Sequence, residues 1–163
     1  MSATTHSAVL QDLAAAVEAI DPERFQQRLE ETWTEALSPF GDSSATLPDT
    51  MAHLGYAVFL GQSRPSSGTR QTSGGDGYGG GGGMEVESAI DVVWTYRLRH
   101  DSQMADYRLA LDSAVQVVRA VLAETWSDDA SALCVNAGEP MQIEGEPWLL
   151  IRTSFLISYE IGG

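Results

Sequence analysis

Gly74 to Gly83 holds eight glycines in ten residues, the most conspicuous candidate for chemistry in the chain. Glycine-rich loops cradle phosphates where backbone N–H groups converge at a helix N-terminus and a lysine neutralises the charge. This chain has nine arginines and no lysine, and a strand-like stretch follows the run. A dinucleotide fingerprint fails for a related reason, because its glycines must lead from a strand into a helix. The residues before the run form too few elements to fold alone, so it is not an interdomain linker. It reads as the long tip of a β-hairpin.

The other chemistry-bearing residues are dispersed. His6, His53 and His100 have no H-E-x-x-H or paired-cysteine spacing around them, so they define no metal site. No G-x-S-x-G supplies a nucleophile elbow. Glu144 and Glu146 in IEGEPW fall in a predicted turn, where two carboxylates are ordinary solvated charges. Asp128 and Asp129 lack the alternating acids and glycine of a calcium loop. Cys134 is the single cysteine, which excludes an intrachain disulfide and reads as a buried thiol. Trp33, Trp94, Trp126 and Trp148 read as core or interface anchors. These patterns argue for no catalytic, cofactor or metal site, and a non-enzymatic role is the expectation.

The elements that would position such residues follow from periodicity. Ala8, Leu10, Leu13, Ala14, Val17 and Ile20 share a helical face, and Asp21-Pro22 is a stop-and-restart signal. Phe25, Leu29, Trp33 and Leu37 then recur every four residues. Two consecutive helices are predicted, near 6–20 and 22–37. Residues 54–62 alternate as a strand. Residues 61–83 are Gly/Ser-rich and too poor in apolar side chains to offset their ordering entropy.

From Met84 to Leu98 apolar residues take every even position except Ser88. This predicts a half-buried strand far longer than the usual five or six residues. A helix follows over about 102–124, with Tyr107, Leu111, Ala114, Val115, Val118 and Leu122 on one side. The connection after it holds room for a short strand around Cys134. A closing hairpin pairs 141–143 with a long strand, 148–161. The order α-α-β-β-α-β-β gives a single α+β domain over 1–163, with a four-stranded, mostly antiparallel sheet packed by helices and a flexible hairpin loop at 61–83.

The formal charge is −14, from 23 acidic residues against nine arginines. Such a surface repels nucleic-acid phosphates and anionic membranes. The arginines, spread over Arg24, Arg28, Arg64, Arg70, Arg97, Arg99, Arg108, Arg119 and Arg152, form no basic stripe. The N-terminus has no basic segment ahead of its apolar residues, unlike a signal peptide. No apolar run approaches the roughly 20 residues of a membrane span.

The stretch VVWTYRLRHDSQMADYRLALDSAVQVVRAVL, residues 92–122, and the closing EPWLLIRTSFLISYEI complete this element order. Together they resemble the tail terminator proteins of long-tailed bacteriophages and related particles. The likeness covers about residues 84–161, and the N-terminal half only by element order. It implies a virion protein, made in the host cytoplasm, that forms a homohexameric ring. Such a ring caps the tail tube and joins it to the head-side connector or stopper protein, with DNA passing through the lumen without specific binding. The resemblance implies no cofactor. Another neck subunit or a small-molecule-binding α+β domain would carry much the same signals. The length of the 84–98 strand suggests an arm projecting beyond its own core, so Met84, Val86, Ile90 and Trp94, with Tyr78 in the loop, form the expected assembly interface.

Overall fold

The computed structural model describes residues 5–21, 23–29, 52–65, 84–99, 103–123, 131–142 and 146–161. Six elements follow one another: α1 (His6–Glu18), β1 (Tyr56–Pro65), β2 (Met84–Arg97), α2 (Gln103–Ala123), β3 (Ser131–Gln142) and β4 (Trp148–Ile161). The strands form one antiparallel sheet in the order β1-β2-β4-β3, so the two hairpins are joined through the long central strands. The α+β class holds.

β2 and β4 pair without a slip from Met84↔Ile161 to Arg97↔Trp148. Fourteen residues at roughly 3.3 Å each make this spine about 46 Å long. Alternation places Val86, Ile90, Val92 and Trp94 on the same face as Leu149, Ile151, Phe155 and Tyr159. Both helices cover that face: Val9, Leu13 and Val17 of α1 and Ala110, Ala114, Val117 and Val121 of α2 join one core. The helices start where expected. Thr5 caps α1, its hydroxyl accepting from the Ala8 N–H at 3.0 Å.

The expected order needs correcting, because residues 23–29 are not helical. Phe25 takes a left-handed backbone conformation (φ 53°) and meets Trp94 and Tyr56 edge-on, at ring separations of 5.8 and 6.5 Å. The chain then runs beside β1, with Leu29 N–H donating to the Tyr56 carbonyl at 2.8 Å and Tyr56 N–H to Gln27 at 3.0 Å. Phe25 enters the helix-side core, whereas Leu29 joins Ala57, Phe59, Val93 and Leu150 on the opposite face. A helix would have put the two on one side. Wrapping the sheet edge buries both, and that burial outweighs local helical preference. Residues 30–37 of the expected helix lie outside the described residues.

Two boundaries also shift. β1 continues to Pro65, so Gly61–Pro65, expected to be loop, are strand; residues 66–83 lie outside the described residues. The separate short strand at Cys134 and the one at 141–143 are a single strand, β3, interrupted at two register shifts between Cys134 and Glu139. Gly138 sits in that irregular stretch at φ +154°, where its missing Cβ leaves room for α2.

Candidate assembly surface

The expected interface residues divide sharply by burial. Val86, Ile90 and Trp94 lie in the subunit's own core, so none of them is presented to a neighbour. The projecting arm is corrected accordingly. β4 flanks β2 along its whole length, and the start of α1 closes over the far end, where His6 meets Tyr159 edge-on at 5.7 Å. Met84 alone remains substantially exposed, and Tyr78 lies outside the described residues.

The polar break at Ser88 now has a cause. Its buried hydroxyl lies 2.7 Å from the Tyr159 hydroxyl and 2.6 Å from Ser63 Oγ, and Tyr159 also bonds His6 Nδ1. This network ties α1, β1, β2 and β4 together at one end of the sheet. Burial pushes the Tyr159 phenol above its usual range, opposed by its hydroxyl partners. A serine, a tyrosine and a histidine in line could relay protons, but Ser88 and Tyr159 are sealed from solvent. The arrangement therefore satisfies polar groups within the core.

At the opposite end, folding gathers arginines that are scattered in sequence. His53 Nδ1 accepts from the Arg97 N–H at 3.1 Å, and its ring meets Tyr96 edge-on at 4.7 Å. Burial, together with the charges of Arg99, Arg24 and Arg97, lowers the His53 pKa to about 4, so the ring is neutral at pH 7. Arg24 reaches Gln116 of α2 at 3.4 Å. On the far face, Arg152 bonds Glu139 and lies 3.6 Å from Asp91, linking β3, β4 and β2.

Among the described residues no group of three His, Cys, Asp or Glu side chains is placed to hold a metal ion. Cys134 is half-buried, and desolvation raises its thiol pKa, which suits an inert thiol. His100, Trp33, Trp126, Asp128, Asp129 and Glu144 lie outside the described residues; Glu146 is exposed and Trp148 half-buried.

The surface that sequence reasoning missed is the outer side of α2. Met104, Leu111, Val115 and Leu122 are each 40 to 65% exposed. Beside them a groove of about 520 Å³ runs between α1 and α2, lined by Ala16, Ala19, Ile20, Gln116, Arg119, Ala120 and Ala123. Spacing groups Leu111 and Val115 with Ala114 on one apolar side of this helix, yet it is Ala110, Ala114, Val117 and Val121 that face the sheet. The available signal was that α2 carries more apolar residues than one stripe can seat. No helix among the described residues is long and apolar enough to cross a membrane, so the exposed side chains are not explained by a spanning helix.

No family model matches the chain, and no curated protein matches it.

Proposed function

We propose that the chain is a structural subunit of a phage-type particle, one copy in a homohexameric ring. The ring caps the tail tube and joins it to the head-side connector, with DNA passing through the lumen. One observation carries this reading. Hairpin, helix and hairpin assemble in that order into one antiparallel sheet with both helices on a single face, the order on which the resemblance to tail terminator proteins rests. The apolar outer side of α2 adds support, because a ring subunit needs surface reserved for neighbours. A small-molecule site draws less support. The groove between the helices is lined mainly by alanine methyls, with Gln116 and Arg119 as its polar groups, and offers little to orient a ligand.

The test is native mass spectrometry with class-averaged electron micrographs, first of the protein and then of the protein mixed with purified tail tubes. The expected result is a six-subunit ring with a central pore that binds tube ends. A protein that neither forms rings nor binds tube ends refutes the reading.

A further inference from the structure

We infer that the end of the sheet where Arg24, His53, Arg97 and Arg99 gather is an anion site, and that it takes a small tetrahedral oxyanion of the phosphate class. The inference is independent of the ring, because every group comes from one subunit.

Three stretches far apart in sequence build the cluster. Arg24 follows α1, His53 precedes β1, and Arg97 and Arg99 stand at the end of β2. Two contacts hold the imidazole: its Nδ1 accepts from the Arg97 N–H at 3.1 Å, and its ring stands edge-on to buried Tyr96 at 4.7 Å. With Nδ1 accepting, the neutral ring carries its proton on Nε2 and contributes a donor. The three guanidinium groups are donors only. They lie close enough for all three charges to act on His53.

These donors are not spent on carboxylates. Acidic residues outnumber arginines 23 to nine in the chain, and elsewhere Arg64 pairs with Glu87 and Arg152 with Glu139. Arg97 and Arg99, both exposed, enter hydrogen bonds through their backbone N–H groups, and neither joins an ion pair among the described residues. Arg24 gives one N–H to the neutral amide of Gln116 at 3.4 Å. The acids at this end are on α2. Asp106 is buried, with one oxygen accepting from the Arg99 N–H at 3.1 Å, and Asp106 and Asp112 act on Tyr96, whereas the charges acting on His53 are those of the arginines.

Donor number selects the ligand. A carboxylate has two oxygens, which one guanidinium fork fills. Three forks and an imidazole N–H call for more acceptors, and the oxygens of phosphate or sulfate supply them. The net charge of −14 opposes every anion, but not equally. At physiological ionic strength charges beyond about 8 Å are largely screened, so a single small ion responds to the local arginines. A duplex or an anionic membrane lies against a whole face and meets the acidic residues as well. The subunit's field therefore selects against the polymer and leaves the small ion.

The test is an NMR titration of the full chain, carrying labelled histidine, at pH 7. Sodium phosphate is added against sodium chloride at matched ionic strength, and the His53 signal is identified by its loss in His53→Asn. Phosphate should move that signal saturably, with a Kd on the order of 1 mM, and chloride should not. Arg97→Gln with Arg99→Gln should weaken binding at least about tenfold, as loss of charged hydrogen bonds does. Arg64→Gln, outside the cluster, should bind like wild type. All three arginines are exposed, so circular dichroism should show the fold retained. A nucleoside monophosphate that binds no tighter than phosphate sustains the site as one for the free ion; one that binds tighter sustains it as a phosphomonoester site. No saturable shift with phosphate overturns the inference, as does wild-type binding in the Arg97/Arg99 variant or equal weakening by Arg64→Gln. Acetate binding as tightly as phosphate overturns the choice of a tetrahedral oxyanion, and a short DNA duplex binding more tightly than phosphate through the same arginines overturns the choice of a small ion.

Discussion

Ser113 should be worth more to this fold than its size suggests. Trp94 is fully buried, and its indole N–H donates to Ser113 Oγ at 3.0 Å. The Ser113 hydroxyl in turn donates to the Ala110 carbonyl within α2. Ser113→Ala removes one oxygen from an enclosed helical site. Alanine is the better helix former by about 0.5 kcal/mol, so propensity alone predicts a gain. Against this, a buried donor left without a partner costs about 1–3 kcal/mol. The second effect wins, for a net loss of about 0.5–2.5 kcal/mol. With a urea slope of about 2 kcal/mol/M, a loss near the middle of that range lowers the unfolding midpoint by roughly 0.7 M, with the slope unchanged. A double-mutant cycle isolates the bond. In a Trp94→Phe background there is no donor to strand, so Ser113→Ala should become neutral or slightly stabilising. A loss of equal size in both backgrounds, or none in wild type, refutes the reasoning.

Three further outcomes are expected. Gly138→Ala should destabilise by about 1–3 kcal/mol in thermal unfolding, because its backbone is in a glycine conformation and the new Cβ would meet Ala114 Cβ at 3.0 Å; an unchanged midpoint refutes this. His53, at about 4 in the fold against an ordinary 6.5, binds fewer protons folded than unfolded. Its contribution is therefore complete above pH 6.5 and lost as pH falls toward 4; His53→Asn should flatten stability over that window, and an NMR titration of the ring near 6.5 would contradict it. Val86→Asp with Ile90→Asp should unfold the subunit, since both side chains lie in its own core. A folded protein defective only in assembly would restore the projecting arm.

Much of the frame was legible from period alone. The helices at 6–18 and 103–123 and the strands at 84–97 and 148–161 lie within a residue or two of where alternation and helical spacing put them. Failures came where tertiary contacts decide. The four-residue spacing of Phe25 and Leu29 looks helical, but each residue is drawn to a different face of the sheet. β3 hides because its register shifts break the alternation that marks a strand, and Gly138 and Pro140 look like loop residues out of context. Strand order was not readable either, because local hairpin pairing does not say which strands become the sheet's centre.

The assembly surface was misplaced for a related reason. Alternation in β2 reports that one face is apolar but not what covers it; a neighbouring subunit and the chain's own helices leave the same pattern. Length favours a neighbour only for a spherical core, which a strand of about 46 Å overreaches. β4 matches β2 residue for residue, and α1 lies over the end that would have projected, so the core is elongated along the spine. Among the described residues, the apolar surface left exposed is then on α2, beyond what the sheet can cover, and at Leu133 and Val135 on the other face of β3. In that helix Ala110 and Ala114 face inward, and the close approach of Gly138 demands a small side chain at Ala114. Val115 and Leu122 are turned outward and Leu111 lies at the rim of that approach, so larger side chains remain exposed on the outer side of the helix.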